Sequence, residues 1–287
     1  MSDIKGIILD VDGVIIGEKI GFNSPHPHIE VINKLKQIKR KGINITLCTA
    51  KPYFAIQKEI ESAGLNNLHI TDGGSVIINP IDNVIQNRHI LDREQAKSVI
   101  EMCIANNIYV EFYTVDDYFI QRSEECELTK QHIHILQKAP IIVENLAEIS
   151  LEKEVTKIMP IALNDGEDKE RVNNLYKQLN VDLAFNWSVH PVALPLQFGI
   201  VTATGISKKQ GLIEISRSSN IPLENILGVG DSTSDWNFIE LCGYAAAMGN
   251  ASNELKELVK TKGENNSYIG EHVNENGIVG ILNHFVK

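Results

Sequence analysis

No stretch of this 287-residue chain approaches the roughly 20 consecutive apolar residues that span a bilayer, and the amino terminus enters a strand pattern without a basic-then-apolar signal region. A cytoplasmic protein with no membrane partner is expected. Basic residues are also scarce, with 27 Lys and Arg against 37 Asp and Glu and a formal net charge of -10. Without a cationic surplus there is nothing to release counterions from a phosphate backbone, which argues against nucleic acid and anionic membrane as partners. Cysteines are few and form no C-x-x-C: Cys48, Cys103 and Cys242 fall in apolar contexts, and with Cys126 they read as free thiols in a reducing compartment, not as zinc ligands or disulfides. No internal repeat or low-complexity tract stands out. The length exceeds one typical domain, so one large domain or two unequal ones are expected.

The chain does have two clusters of carboxylates far apart in sequence. Asp10-Val11-Asp12-Gly13 directly follows the apolar run Gly6 to Leu9, and Gly230-Asp231-Ser232-Thr233-Ser234-Asp235 follows another, Ile226 to Val229. A strand presents every second residue to one side, so Asp10 and Asp12 leave the strand end pointing the same way, with Gly13 permitting a sharp exit. A capped turn can also read Asp-x-Asp-Gly, so an isolated copy would be ambiguous. Between the clusters lie Leu47-Cys48-Thr49-Ala50-Lys51-Pro52, which ends a third apolar run with a hydroxyl, and Gly205-Ile206-Ser207-Lys208-Lys209, which opens a helical pattern with a lysine.

Strand and helix patterns alternate over the first part: strand Gly6 to Val11, helix Pro27 to Lys41, strand Ile43 to Thr49, helix Pro52 to Ala63, short strand Leu68 to Thr71. Such alternation predicts a parallel sheet with helical crossovers, whose active site forms at the carboxyl ends of the strands. From about Asn83 to Trp187 the pattern changes to hairpin-like strands (Ile108 to Val115, Asp117 to Arg122) between helices, followed by a second strand and helix set. Alternation resumes at Ser207. The expectation is an α/β protein with a Rossmann-like parallel-sheet core in two parts, residues 1–82 and 188–287, and an inserted α+β cap, residues 83–187.

The ordered set of segments resembles the four motifs of the haloacid dehalogenase superfamily, specifically its Cof-like phosphatase branch with an inserted cap of type C2. Ala247-Met248-Gly249-Asn250-Ala251 and Asn276-Gly277-Ile278-Val279 look like two further stretches of that family, so the resemblance spans nearly the whole chain. The family's Gly-Thr, Gly-Arg and Asn-Asp are here Gly13-Val14, Ala50-Lys51 and Ser234-Asp235. These departures leave the reactive groups in place and bear on substrate contacts.

The resemblance implies that Asp10 is the nucleophile of a phosphoryl transfer and that Asp12 first protonates the leaving oxygen and later deprotonates the attacking water. Thr49, Ala50 and Lys208 would bind the phosphate, with Lys209 the rival to Lys208. Lys51 and Ser234 would meet the substrate. Convergence of Asp10, Asp12, Asp231, Asp235 and a phosphate dianion requires a cation, since each like-charged pair at about 4 Å costs roughly 1 kcal/mol in water and about 4 at an intermediate dielectric. Magnesium suits these hard oxygens: a carboxylate oxygen each from Asp10 and Asp231, the Asp12 carbonyl, and Asp235 ordering metal waters or pairing with lysine.

The expected activity is a magnesium-dependent phosphatase for a small phosphorylated metabolite, a sugar or short organic phosphate, working as a monomer or homodimer. A phosphomutase using the same aspartate pair, or an idle phospho-ligand-binding regulator, is the alternative. Gly228-Val229-Gly230 suggests a dinucleotide loop but lacks the third glycine, which Thr233 replaces. The pairs His26/His28 and His132/His134 have metal-grip spacing but read as surface. Specificity would reside in the cap, which carries Arg88, Tyr113, Tyr118, Arg122 and Lys130.

Overall fold

A computed structural model describes residues 3–81 and 84–286. The apolar runs flanking the carboxylate clusters pair with each other. Gly6–Leu9 lies parallel to Ile226–Gly230 on one side and to Asn44–Leu47 on the other, with Leu9 level with both Val229 and Leu47. Tyr244–Ala247 and Ser267–Ile269 extend the sheet to five parallel strands. The strand Gly6–Leu9 is buried on both faces: Ile7 and Leu9 enter one apolar cluster and Ile8 another, as a parallel sheet covered by helices requires. The helix Ile29–Arg40 covers one face through Val31, Ile32, Leu35 and Ile38, and the His28 side chain caps its first turn. All five strands run the same way, so the residues after Leu9, Leu47 and Gly230 share one edge.

A second, six-stranded sheet has the order Leu183–Ser188, Gln197–Ala203, Lys157–Ala162, Val110–Tyr113, Tyr118–Gln121, Ile141–Val143, antiparallel except for the last pair. The helices Arg93–Ala105, Leu146–Glu152 and Glu167–Gln178 pack on one of its faces. Its other face carries Tyr113, Met159, Phe198 and Ile200 and meets Ala55 of the first layer.

Neither expected boundary coincides with a change of sheet. Asp82 and Asn83 lie outside the described residues. Val84–Arg88 pairs with Val76–Asn79, which pairs with His69–Thr71, and Ile70 bridges Cys48, so the chain stays with the first layer past residue 83. Gln197–Ala203 lies between Leu183–Ser188 and Lys157–Ala162, so the second sheet extends beyond residue 187. Gly199 within this run and Pro195 just before it mask its strand character in the sequence. Among the described residues no helix is long and apolar enough to cross a membrane.

Candidate active site

Asp10 follows the strand Gly6–Leu9, its backbone N–H donating to the Val229 carbonyl at 3.0 Å. Asp231 follows the neighbouring strand, and the turn Thr233–Asp235 brings Asp235 back beneath it. The Asp235 Oδ2 accepts from the backbone N–H groups of Asp231 and Ser232, both at 3.1 Å. Gly13 (φ 80°) is what lets the two clusters meet, because a Cβ there would stand 1.9 Å from the Asp231 Oδ2. Asp10, Asp231 and Asp235 thereby place one carboxylate oxygen each within 4.8 Å of the others.

Lys208 enters this group from the start of the helix Lys208–Ser219, which Ser207 caps by accepting from the Gln210 N–H. Its Nζ lies 2.6 Å from the Asp10 Oδ1 and 2.8 Å from the Asp235 Oδ1, whereas Lys209 pairs with Glu240 at the surface. The electrostatics follow from crowding. Burial, opposed by Lys208 and reinforced by Asp235 and Asp12, pushes the Asp10 carboxyl up to about 7. Burial, then Asp235 and Asp10, hold the Asp231 carboxyl well above the usual carboxylate range. Burial works against the charge on Lys208, but Asp10 and Asp235 raise it well above the usual lysine range.

Asp12 sits at the same edge but its carboxylate has different partners. Its Oδ1 lies 2.7 Å from the Lys51 Nζ and 3.0 Å from the His190 Nε2. Burial would raise this carboxyl, yet Lys51 and His190 hold it below the ordinary range. Thr49 is buried, and its hydroxyl accepts from the Lys51 N–H at 3.0 Å. The Ala50 carbonyl accepts from the Nζ of Lys157, a residue of the second sheet, at 2.8 Å. Ser234 is exposed and shares a 2.7 Å hydrogen bond with Ser232, away from the cavity between the layers.

That cavity encloses about 370 Å³, counting its solvent-open mouth, and is lined by Asp12, Lys51, His132, Lys157, His190 and Phe198 among others. His132, expected at the surface, is instead buried, with its Nδ1 2.7 Å from the Oε2 of the fully buried Glu111. Glu111 also accepts from the hydroxyls of Tyr109 at 3.1 Å and Tyr113 at 2.5 Å. Arg88, Arg122 and Lys130 pair with Glu154, Glu144 and Glu127 and do not line the cavity; Tyr113 does, and Tyr118 is buried beside it.

Sequence reasoning missed Asp72, Glu111, Lys157 and His190. The first three carried a signal: Asp72 is another acidic residue at a strand end, and Glu111 and Lys157 are charges inside otherwise apolar strands. His190, in the link after Leu183–Ser188, carried none.

A family model for haloacid dehalogenase-like hydrolases matches residues 7–282. Phosphatase YwpJ of Bacillus subtilis (strain 168) is 25% identical over 279 residues, covering 89% of this chain and 93% of that protein. The 5-amino-6-(5-phospho-D-ribitylamino)uracil phosphatase YwtE of the same organism is 20% identical over 300 residues, covering 99% of each. Among solved structures, the subclass IIB sugar phosphatase BT4131 is similar at a TM-score of 0.77 and 21% identity, over 98% of each chain.

Proposed function

Since the chain belongs to the family of haloacid dehalogenase-like hydrolases, we propose that it is a phosphatase that hydrolyses a small phosphorylated metabolite, a sugar or short organic phosphate, through an aspartyl phosphate on Asp10. The carrying observation is the convergence of Asp10 with Asp231, Asp235 and Lys208 at the carboxyl edge of the parallel sheet. In the first step an Asp10 carboxylate oxygen bonds to phosphorus, the ester P–O bond breaks, and Asp12 gives its proton to the leaving oxygen. In the second, Asp12 takes a proton from water, the water oxygen bonds to phosphorus, and Asp10 leaves as the free carboxylate. Lys51 and His190 keep Asp12 ionised in the free protein, the form required of the base. Its use as an acid requires that an incoming ester draw those two partners away, so that Asp12 takes up from solvent the proton it then gives to the leaving oxygen. Lys208 opposes charge on the transferring phosphoryl group, and Thr49 and Ala50 border it.

The donor set fits magnesium: hard oxygens from Asp10 and Asp231 stand together, Asp235 stands behind them, and burial together with mutual repulsion raises the carboxyls of Asp10 and Asp231, leaving them short of positive charge. When bound, the ion would supply that charge and offset the charge on phosphate. The cap in this proposal runs from the end of Val84–Arg88 to the end of Gln197–Ala203. The acidic balance of the chain supports a small substrate over nucleic acid or an anionic membrane. The test is phosphate release from a panel of phosphate monoesters in magnesium, with Asp10→Asn as the control. Absence of release from every ester, a simple aryl phosphate included, would refute the proposal.

A further inference from the structure

Lys157 opens the strand Lys157–Ala162 and is fully buried, although the rest of the strand is apolar. Its ammonium makes three contacts. It lies 3.1 Å from the Asp72 Oδ1, donates to the Ala50 carbonyl at 2.8 Å, and stands 3.9 Å above the centre of the Tyr113 ring. Two of these partners belong to the core and one to the cap, so this single charge bridges the seam between the layers. The Tyr113 ring is itself held from behind, since its hydroxyl donates to Glu111, which His132 and Tyr109 also engage.

The core partners are tied to the phosphate site. Asp72 begins the turn Asp72–Gly74 in a left-handed conformation (φ 51°). Its N–H donates to the Lys51 carbonyl at 2.9 Å, and the Gly73 N–H donates to the Thr49 carbonyl at 3.0 Å. Next to them Gly74 packs so closely on the helix start that a Cβ would stand 2.4 Å from the Ser207 carbonyl oxygen and 3.1 Å from the Lys208 nitrogen. The turn therefore touches the segment Thr49–Lys51 on one side and the base of Lys208 on the other.

A buried ion pair is a poor source of stability, because apolar residues of similar volume often serve as well or better. Its placement here points to orientation. Resting on the phosphatase reading, we propose that Lys157 and Asp72 are a positioning pair through which the seated cap fixes the Thr49–Lys51 segment and completes the phosphate-binding site. When the cap lifts, Lys157 leaves with it and the Ala50 carbonyl loses its donor, so tight phosphate binding requires a closed cap. Neither residue bonds to phosphorus; both act through the backbone around Thr49 and Ala50.

The experiment compares the wild type with Lys157→Met, Asp72→Asn and the double variant, measuring thermal midpoint, affinity for inorganic phosphate by calorimetry in magnesium chloride, and kcat and KM for an aryl phosphate. Asn tolerates the left-handed turn, so Asp72→Asn preserves the backbone. Lys157→Met strands a buried carboxylate and is expected to lower the midpoint. The double variant carries no unpaired charge, and its midpoint is expected to return toward wild type. Its phosphate affinity is not: it should stay on the order of ten- to a hundredfold weaker, with a matching fall in kcat, because the Ala50 carbonyl still lacks its donor. Asp72→Asn, which keeps the bond from Lys157 to Ala50, should lose less affinity than the double variant. A merely structural pair predicts that stability, phosphate affinity and turnover recover together, and that result overturns the proposal, as would a wild type without measurable phosphate affinity. If Lys157→Met does not fold, the other two variants decide. A wild type that binds phosphate but releases none from any ester would instead refute the phosphatase reading, leaving the affinity comparison to judge the pair.

Discussion

The Lys51 Nζ lies 2.7 Å from the Asp12 Oδ1, and this contact aims the Asp12 carboxylate at the cap cavity while Asp10 faces Asp231 and Asp235. Two aspartates two residues apart thus occupy different electrostatic surroundings. Burial acts to raise the Asp12 carboxyl, but Lys51 and His190 lower it below its ordinary value of 3.8. A carboxyl lowered on folding contributes stability above its unfolded value, and that contribution is lost as pH falls through the folded one. Lys51→Met is therefore expected to lower stability by roughly 2–3 kcal/mol at neutral pH, with the difference shrinking as pH drops below 3.8. Urea midpoints of both proteins, measured at neutral pH and at about pH 3, check this. An equal gap at both would assign the loss to packing, not to charge.

Asp10 obeys the opposite sign. Its carboxyl is raised by burial to about 7, so the folded protein holds a proton that the unfolded chain releases, and stability falls as pH rises from 3.8 toward 7. Asp10→Asn keeps the volume and removes the charge. In chelator above neutral pH the variant is expected to be more stable than wild type by roughly 1–3 kcal/mol, less than the full shift because Lys208 loses a partner. Phosphate release from an aryl ester should drop on the order of 10⁴-fold or more. Activity within a few-fold of wild type would remove Asp10 from the nucleophile's role.

Magnesium must displace the proton that Asp10 holds near neutrality, and burial, then Asp235 and Asp10, raise the Asp231 carboxyl beside it. The ion's affinity should weaken about tenfold per pH unit below 7 for each proton released. Calorimetric titration in two buffers of different ionisation heat measures that release directly, and about one proton per ion is expected near pH 6. Calcium should bind without restoring turnover, because its looser coordination spoils an in-line displacement. An affinity independent of pH across neutrality would show that the ion sits elsewhere.

The core was legible because its chemistry is local: Asp10, Thr49 and Asp231 each end an apolar strand, and a parallel sheet brings such ends to one edge. Lys208 was separable from Lys209 only by resemblance, and the structure separates them by reach, one to Asp10 and the other to Glu240. The cap was legible as a change of pattern but not in extent, since Gln197–Ala203 owes its place to pairing with Lys157–Ala162, a long-range contact no local pattern encodes. His132 read as surface for the same reason: its burial depends on Glu111, on a different element. Charges within apolar strands, Glu111 and Lys157, were the overlooked signal, because a buried charge is retained only with a partner.

Phe198 lies on Gln197–Ala203, is buried, lines the cavity, and has its ring 5.3 Å from that of His132; Met159 lines the same cavity from the adjacent strand. The cavity they line includes Asp12 but not Asp10, Asp231 or Asp235, so they would touch the leaving group and not the phosphoryl group. Trimming an apolar wall removes contacts that differ between substrates and leaves the displacement itself untouched. Phe198→Ala and Met159→Ala are therefore expected to change relative kcat/KM between a bulky and a compact phosphate ester by about ten- to a hundredfold, the discrimination that one or two methylene-sized contacts supply. Turnover of the compact ester should change only a few-fold. Steady-state kinetics on such a pair of esters decides the matter: parallel loss on both would mean that the wall helps to assemble the catalytic groups, and the division between a specifying cap and a reacting core would fail.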